Sequence, residues 1–337
     1  MTTSLARNDF ADLSRRISDA GLTDRRPGYY VLRSALVGGA YIGAWWAVVA
    51  LGDSWWQVAV AAFLAVVFAQ VALLAHDVAH RQVFRRARAS MLVGRILGNL
   101  GIGMSYSWWM DKHTRHHAHP NHAERDPDVE PDLLVWSPDQ ARASTGLPRW
   151  FGRYQAWLFF PVLLLEGFSL HYAGFRACLD RTTRGRGTEA TLLVAHVLLY
   201  VALVFGVLPF GKALVFVLVH QMLWGLYMGA TFAPNHKGMP MRTGDEPEDF
   251  LRRQVLTSRN IAGGPLVDLA YGGLNHQIEH HLFPAMPSAN LRRAQPIVAA
   301  YCAELGVPYV RTGVVDSYVQ TLRSLHEAGA PLRTPAR

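Results

Sequence analysis

Four apolar stretches in the sequence are each long enough to cross a lipid bilayer. They cover residues 34–51, 55–75, 191–210 and 213–233, and a transmembrane helix needs about 20 mostly apolar residues. Inside a bilayer, only helices and closed barrels satisfy all of their own backbone hydrogen bonds. Because the apolar residues form long runs and do not alternate with polar ones, the sequence predicts an all-α membrane protein with four transmembrane helices.

Arginine residues mark one end of the first pair of apolar runs. Arg81, Arg85, Arg86 and Arg88 follow the second run, whereas the turn between the two runs has no Lys or Arg. Because positively charged loops stay in the cytoplasm, both ends of this hairpin are predicted to be cytoplasmic. The formal net charge of +8 then reflects loops that lie against anionic lipid, and no nucleic acid partner is expected.

The remaining sequence divides around these spans. Residues 1–30 are polar and are expected to form a cytoplasmic N-terminal arm, residues 31–310 the main domain, and residues 311–337 a C-terminal tail. Two apolar stretches, 91–104 and 157–170, are too short or too interrupted to span comfortably. Both are predicted to be interfacial, the second as an interfacial or re-entrant segment. This organisation places both termini in the cytoplasm.

Three histidine clusters lie outside the apolar runs, with their histidines at helical spacing. They are His76-Asp77-Val78-Ala79-His80, His113-Thr114-Arg115-His116-His117 and Gln277-Ile278-Glu279-His280-His281. Positions i, i+3 and i+4 share one face of a helix, so each cluster offers its polar side chains from a single face. The clusters can share one site only if an even number of crossings separates them. The four predicted spans meet this condition. The three clusters are therefore predicted to lie in a cytoplasmic helical cap that holds a di-metal site.

The number of histidines indicates more than one metal ion. With His236, which follows the fourth run, the candidate ligands are His76, His80, His113, His116, His117, His236, His280 and His281. Imidazole suits iron, copper, zinc and nickel, so the ligand type does not name the metal. Eight ligands are twice what one tetrahedral zinc takes, which indicates two ions. Two redox ions can activate dioxygen, and at the end of four membrane helices the expected substrate is a lipid or acyl chain.

The three clusters also look like the HxxxH, HxxHH and QxxHH boxes of the membrane-bound fatty acid desaturases. Residues 275–284 and 291–296 resemble bacterial acyl-lipid and acyl-CoA members related to front-end desaturases. The resemblance covers most of the chain from the first hairpin onward. One box alone would be a weak signal, but three in order with the expected spans between them are a strong one.

The resemblance implies a di-iron enzyme with dioxygen as co-substrate. Two iron ions would be held by the box histidines, and His236 resembles the family's extra ligand. The substrate would be a fatty acyl chain carried by coenzyme A, acyl carrier protein or a glycerolipid, and the product a cis double bond. Because no His-Pro-Gly-Gly haem motif occurs, electrons are expected from an external donor such as ferredoxin with its reductase. The expected location is a bacterial cell membrane, with the active site facing the cytoplasm.

Gln277 departs from the pattern of many acyl-CoA relatives, which have a histidine at this position. Either one iron lacks an imidazole there, or the amide oxygen of Gln277 or the neighbouring His276 compensates. Asp77 and Asn235 stand beside candidate ligands. Both are candidates to orient imidazole N–H groups, because metal-bound histidines are usually held by a second hydrogen bond.

Six further histidines fall outside the boxes, and one of them, His326, is predicted to lie at the surface. His196 and His220 lie within spanning runs and are predicted to form interhelical hydrogen bonds, because polar groups in a membrane need partners. His171 is predicted to lie at the surface. His119 and His122 extend the second box but miss its spacing, so they are not predicted to bind metal.

Two alternative functions stay open at this point. An oxygen atom transferred to the chain on the same scaffold would make the protein an acyl or sphingoid lipid hydroxylase. A metal-transporting or metal-sensing membrane protein belongs to a different class and predicts ligands along a path inside the spanning helices. The clusters in this sequence stand at the ends of the predicted helices, which favours the oxidase.

Overall fold

The computed structural model describes residues 9–183, 185–244 and 249–333. It is mostly helical, which confirms the predicted fold class. The α-helices are α1 (Asp9–Asp19), α2 (Pro27–Leu51), α3 (Gln57–Ala79), α4 (Ala87–Arg95), α5 (Tyr106–Ala118), α6 (Pro138–Ala143), α7 (Gly146–Leu163), α8 (Glu166–Leu179), α9 (Arg186–Val207), α10 (Phe210–His236), α11 (Phe250–Leu256), α12 (Pro265–Tyr271), α13 (Gln277–Leu282), α14 (Ser288–Glu304) and α15 (Val314–Ala328). The other elements are a π-helix (Ile96–Gly101), strands β1 (Asn260–Ala262) and β2 (Arg311–Gly313), and a 3₁₀ turn (Ala330–Leu332).

Four helices, α2, α3, α9 and α10, are long and apolar enough to cross a membrane. They coincide with the four predicted runs, but their bounds differ. Helix α3 continues to Ala79 and does not end at residue 75, so His76 stands on the last turn of a span. The turn between α9 and α10 lies at Leu208 and Pro209, before the gap at 211–212 between the predicted runs, because proline cannot continue α9.

Helix α3 lies at the centre of the spans. Of its most apolar 18-residue window, 61% is buried against other parts of the protein, compared with 11% for α2. Helix α3 packs most extensively against α10, and α2 covers it from outside. The uniformly apolar surface of α2 therefore faces the bilayer, where apolar side chains are stable without protein neighbours.

A bend of 81° separates α7 from α8. Both helices pack against α10. A Cβ atom added at Gly225 would lie 2.4 Å from the backbone nitrogen of Gly167 and 2.8 Å from the carbonyl oxygen of Leu163. One turn later, a Cβ at Gly229 would lie 2.4 Å from the Leu163 side chain. Helix α10 thus presents a G-x-x-x-G face that lets another backbone approach closely. Counted as one broken span, α7 and α8 would raise the number of crossings to five, so the interfacial position of residues 157–170 stays a prediction.

A buried glutamate fixes the segment before the second histidine cluster. Residues 91–104, expected as one interfacial helix, form the end of α4, the π-helix and an extended link to α5. Glu189, in the first turn of α9, accepts hydrogen bonds from Arg95 Nε (2.7 Å), Asn99 Nδ2 (2.5 Å) and Ser105 Oγ (2.9 Å). Ser105 also caps the N-terminus of α5, so the carboxylate determines where this helix begins.

The chain after α10 forms a helical cap over the histidine end of the spans. Strand β1 pairs in parallel with β2, with Asn260 opposite Arg311, and α15 packs against α7 and α10. The described part of the predicted tail, up to residue 333, is therefore folded against the rest of the protein. The buried positions of α15 include Ser317 and Thr321. Because these two residues are small and polar, the sequence did not identify the inner face of α15.

The predicted N-terminal arm is also folded in its described part. Leu13 and Ile17 of α1 are fully buried in a cluster with residues of α14. Arg16 donates two hydrogen bonds to the Glu304 carboxylate, at 2.7 and 2.8 Å. Helix α2 begins at Pro27, before the predicted boundary at residue 30. Proline is favourable in the first turn of a helix because that turn has no partner for its missing N–H.

Candidate metal centre

The three histidine clusters meet at one end of the spans, where they form two groups. The first group is made of His76, His80, His113 and His280, whose ligand nitrogen atoms lie within 4.8 Å of one another. The second group is made of His116, His236 and His281, with the same spacing. Helices α3, α5 and α13 supply most of these residues, and His236 is the last residue of α10.

His117 lies between the two groups. Its Nε2 is 3.0 Å from Nε2 of His113 in the first group, and its ring stacks on that of His281 in the second, with centroids 4.2 Å apart. The His280 ring is 4.9 Å away. The structure therefore brings together all eight histidines that the sequence singled out.

Hydrogen bonds at Nδ1 hold all three imidazoles of the second group. In each ring Nδ1 lies close to an oxygen acceptor: His116 to Asp126 (3.0 Å), His236 to the Thr257 carbonyl (3.0 Å) and His281 to Gln254 Oε1 (2.9 Å). A proton on Nδ1 leaves the lone pair on Nε2, which in His236 faces the amide nitrogen of Gln277. This arrangement is typical of metal-binding histidines, whose tautomer is fixed by the second nitrogen.

Several ring nitrogens in the centre have no hydrogen-bond partner among the described residues. They are His76 Nε2, His117 Nδ1, both nitrogens of His280, and His281 Nε2. A buried polar atom without a partner costs about 1–3 kcal/mol, so a group of them requires an explanation. A donor set of imidazoles suits iron, copper, zinc or nickel, and does not suit calcium or magnesium, which prefer oxygen. The residues present therefore fit two transition-metal ions.

Burial keeps most of these imidazoles neutral. Burial is the main cause that lowers the pKa well below its usual value in His80, His113, His117, His280 and His281, and the neighbouring imidazoles lower it further. A protonated imidazole cannot bind a metal. These five side chains are thus available as ligands at neutral pH.

Asp126 was not singled out in the sequence, although it contacts a histidine of the second group. Burial lowers the pKa of His116, but Asp128 and Asp126 raise it, and the net pKa lies above the usual value. Asp126 also accepts a hydrogen bond from the backbone N–H of Asn121 (2.7 Å). The signal that could have found it is the acidic run that begins a few residues after the second box.

We expect Asp126→Ala to weaken metal binding by about 10- to 100-fold, because the His116 ring would lose the acceptor that fixes its tautomer. The measurement is metal content by mass spectrometry after equilibration with a graded chelator. Asp139→Ala is the matched control, since Asp139 is an exposed carboxylate that pairs only with Arg142 among the described residues. Equal metal retention in both variants would contradict the role assigned to Asp126.

Gln277 lies beside the second group, and His276 does not. The amide Nε2 of Gln277 is 3.0 Å from Nε2 of His236, and its Oε1 accepts from Asn235 Nδ2 (3.3 Å). His276 Nε2 is directed to Asp268, 3.4 Å away. Of the two side chains, only Gln277 therefore reaches the centre, and its oxygen, the atom that could bind a metal, is directed to Asn235. Asn235 orients this amide and contacts no ring nitrogen that the structure describes.

Asp77 connects the first cluster to the rest of the protein. Its Oδ2 accepts from Arg33 (2.6 Å) and from Ser288 Oγ (2.8 Å). Its Oδ1 is 3.5 Å from His76 Nδ1, which is at the limit of a hydrogen bond. Asp77 therefore joins α2, α3 and the start of α14 more firmly than it orients His76.

The histidines within the spans serve packing. His196 Nδ1 donates to the Leu100 carbonyl (2.8 Å). Tyr200 on α9 bonds with His220 on α10 (2.8 Å). The prediction of interhelical hydrogen bonding is thus confirmed for both residues, because His220 connects α10 to α9 and His196 connects α9 to the π-helix. The prediction that His171 lies at the surface is wrong, because it is half buried and bonds to a backbone carbonyl in the link before α5.

An apolar cavity of about 270 Å³ ends at the histidines. His113, His116, His236 and Gln277 form part of its wall. The rest is mostly apolar and comes largely from α5, α7, α8 and α10, including Trp108, Trp109, Phe159, Leu163, Met228 and Phe232. The wall also carries four charged side chains, Lys112, Asp128, Glu166 and Lys237. The cavity therefore offers an apolar ligand direct access to the two groups.

The sequence of this chain is similar to those of known proteins. The family model for fatty acid desaturases matches residues 53–313. The chain is similar to an acyl-lipid (9-3)-desaturase of Physcomitrium patens, at 31% identity over 79% of this chain and 52% of the moss protein. It is also similar to fatty acid desaturase 3 of Bos taurus (29% identity, 95% of this chain and 73% of the cattle protein). A third relative is the delta(6)-fatty-acid desaturase fat-3 of Caenorhabditis elegans (25% identity, 97% and 76%).

The chain thus spans about half the length of the moss relative and about three quarters of the other two. The matched region contains all three histidine boxes and His236. It also contains α3, α9 and α10, three of the four helices that can cross a membrane. Because the family model covers most of the sequence, this chain belongs to the fatty acid desaturase family.

Proposed function

We propose that the protein introduces a cis double bond into a fatty acyl chain, at two iron ions held by His76, His80, His113, His116, His117, His236, His280 and His281. The single observation that carries this proposal is that an apolar cavity leads directly to two groups of imidazoles. An acyl chain is the ligand that such a wall accepts, and its C–H bonds would lie beside the metal ligands.

Iron bound at this centre would supply the oxidation. In the overall reaction the acyl chain loses two hydrogen atoms from neighbouring carbons, and dioxygen takes up these two, two further protons and two electrons to give two waters. The electrons would come from an external donor such as ferredoxin with its reductase. Zinc does not suit this reaction because it has no redox chemistry.

The protein's own residues would position the chain and hold the centre. Trp109, stacked on the His113 ring with centroids 4.4 Å apart, fixes one imidazole and lines the cavity at the same time. Phe159 and Leu163 also line the cavity. An apolar wall excludes water from the reacting carbons, which prevents side reactions.

The arginines after α3 support an orientation. Arg81, Arg85, Arg86 and Arg88 stand at the histidine end of the spans, and positively charged loops stay in the cytoplasm. We therefore place the centre and both termini in the cytoplasm of a multi-pass protein in a bacterial cell membrane. The acyl carrier is coenzyme A, acyl carrier protein or a glycerolipid, and a cytoplasmic site is accessible to all three.

The test is the acyl-chain profile of a host that expresses the protein with ferredoxin and its reductase. Gas chromatography with mass spectrometry should reveal a product two hydrogens lighter than its precursor, and His280→Ala should abolish it. A product one oxygen heavier would show that the protein is a hydroxylase and not a desaturase. If the wild type forms neither product and the purified protein retains no iron, the oxidase proposal fails.

A further inference from the structure

A second apolar cavity lies among the spans, separate from the cavity of the metal centre. Its volume is about 630 Å³, against about 270 Å³ for the first, and the two share no lining residue. Its walls come from α2, α3, α9 and the region of α4 and the π-helix. The proposed reaction uses none of these residues, so this groove requires an occupant of its own.

The groove opens sideways toward the bilayer. Ile42 of α2 and Leu199 of α9 line it and remain 70% and 65% exposed, respectively. Two polar groups in its wall are already used, because Tyr41 donates to the Gly101 carbonyl (2.7 Å) and His196 to the Leu100 carbonyl (2.8 Å). The groove therefore offers a ligand mainly hydrocarbon contact.

The length of the groove matches one leaflet. It follows α2 from Ser34 to Trp45, which at 1.5 Å per residue is about 17 Å. The hydrocarbon core of a bilayer is about 30 Å thick. A single acyl chain anchored at the histidine end would thus fill the groove and end near the middle of the bilayer.

The histidine end of the groove is positively charged. Val83 and Phe84 line it, and Arg85 and Arg86 follow directly. These two arginines, like Arg81, are exposed, and no acidic partner is found for any of the three within the residues that the structure describes. Guanidinium groups bind phosphate strongly through paired hydrogen bonds, and anionic lipids concentrate arginines at the membrane surface.

From the groove and its charged end we propose a binding site for one anionic phospholipid. One acyl chain occupies the groove, and the phosphate contacts Arg85 and Arg86. The lipid packs against Leu97 and Leu100 of the π-helix, the segment that leads into α5 and its metal-binding histidines. Bound lipid therefore stabilises the folded protein, because it binds the groove only when the surrounding helices are assembled.

Two neighbouring glycines allow a sharp test. An added Cβ at Gly38 or Gly39 meets no described atom within 4 Å, so both positions accept a larger side chain. Only Gly38 lines the groove, whereas Gly39 is exposed on the outer face of α2. Gly38→Phe should fill the groove, and Gly39→Phe is the matched control with the same residue on the same helix.

The measurement is native mass spectrometry of detergent-purified protein with equimolar dioleoyl phosphatidylglycerol and dioleoyl phosphatidylcholine. Wild type and Gly39→Phe should retain one phosphatidylglycerol, and Gly38→Phe should bind it at least about tenfold more weakly. The double variant Arg85→Gln/Arg86→Gln should lose the preference for phosphatidylglycerol. Phosphatidylglycerol should also raise the Tm of the wild type and of Gly39→Phe, but not that of Gly38→Phe.

Equal retention of the two lipids by the wild type, or equal binding by the two glycine variants, would overturn the proposal. Displacement of phosphatidylglycerol by oleoyl coenzyme A would also overturn it, because the groove would then belong to a substrate. If Gly38→Phe does not fold, the double arginine variant decides alone. None of these measurements involves turnover, so they stand apart from the test of desaturation.

Discussion

Replacing His117 by alanine is expected to lower the proposed desaturation activity by at least about 100-fold. Changes to residues that only support metal ligands already cost 10- to 100-fold, and His117 contacts both groups of imidazoles directly. Its Nε2 is 3.0 Å from His113, and its ring stacks on His281. Alanine removes a nitrogen donor between the two groups and leaves the remaining rings free to move into the space.

The measurement for His117 combines product formation with the iron content of the purified protein. His119→Ala is the matched control, because His119 follows two residues later and belongs to neither group among the described residues. We expect the control to keep both activity and iron. If His117→Ala kept near-normal activity, or if both variants lost it equally, the site would not be built as proposed.

The second large effect is expected from Gly225→Val. The first atom of any side chain at Gly225 would lie 2.4 Å from the Gly167 nitrogen and 2.8 Å from the Leu163 oxygen. Both are backbone atoms, so rotation of a side chain cannot relieve the overlap. We expect destabilisation of about 3 kcal/mol or more, seen as a Tm lower by roughly 5–10 °C or as aggregation in detergent.

Gly206→Val provides the control for Gly225→Val. Gly206 lies in α9, another spanning helix, and an added Cβ there meets no described atom within 4 Å. The two variants share the intrinsic cost of a β-branched residue, so a difference in Tm reports the contact between α10 and the bend. A Tm for Gly225→Val equal to that of the control would show that α10 and the bend do not pack this closely.

The sequence predicted the features that depend on local patterns. Apolar runs predicted the spans, and helical spacing placed His113, His116 and His117 on one helix, because both follow from the period of the α-helix. The extent of the spans was less predictable. Helix α3 continues past the apolar run to Ala79, because a transmembrane helix can extend beyond the hydrocarbon core of the bilayer.

Contacts between distant segments were not predictable in the same way. Gln254 bonds to His281 from another helix, and Asp126 reaches His116 from a loop. Neither follows from spacing, because each depends on how separate segments fold together. Gln277 and His276 also looked equivalent in the sequence, and only the direction of the two side chains distinguishes them.

The hydrogen bond between Asp77 and Ser288 joins residues that are far apart in the sequence, and this separation matters while the chain is being synthesised. Asp77 accepts a hydrogen bond from Ser288, and the third box stands just before this serine, about 200 residues after His76. A ribosome adds roughly 5–20 residues per second, so the first histidines emerge at least about ten seconds before their last neighbours. During this interval the nascent protein holds imidazoles for only part of the centre. Loading of the proposed centre with metal would therefore belong to the end of biogenesis, and a prematurely terminated product would lack the last candidate ligands, His280 and His281.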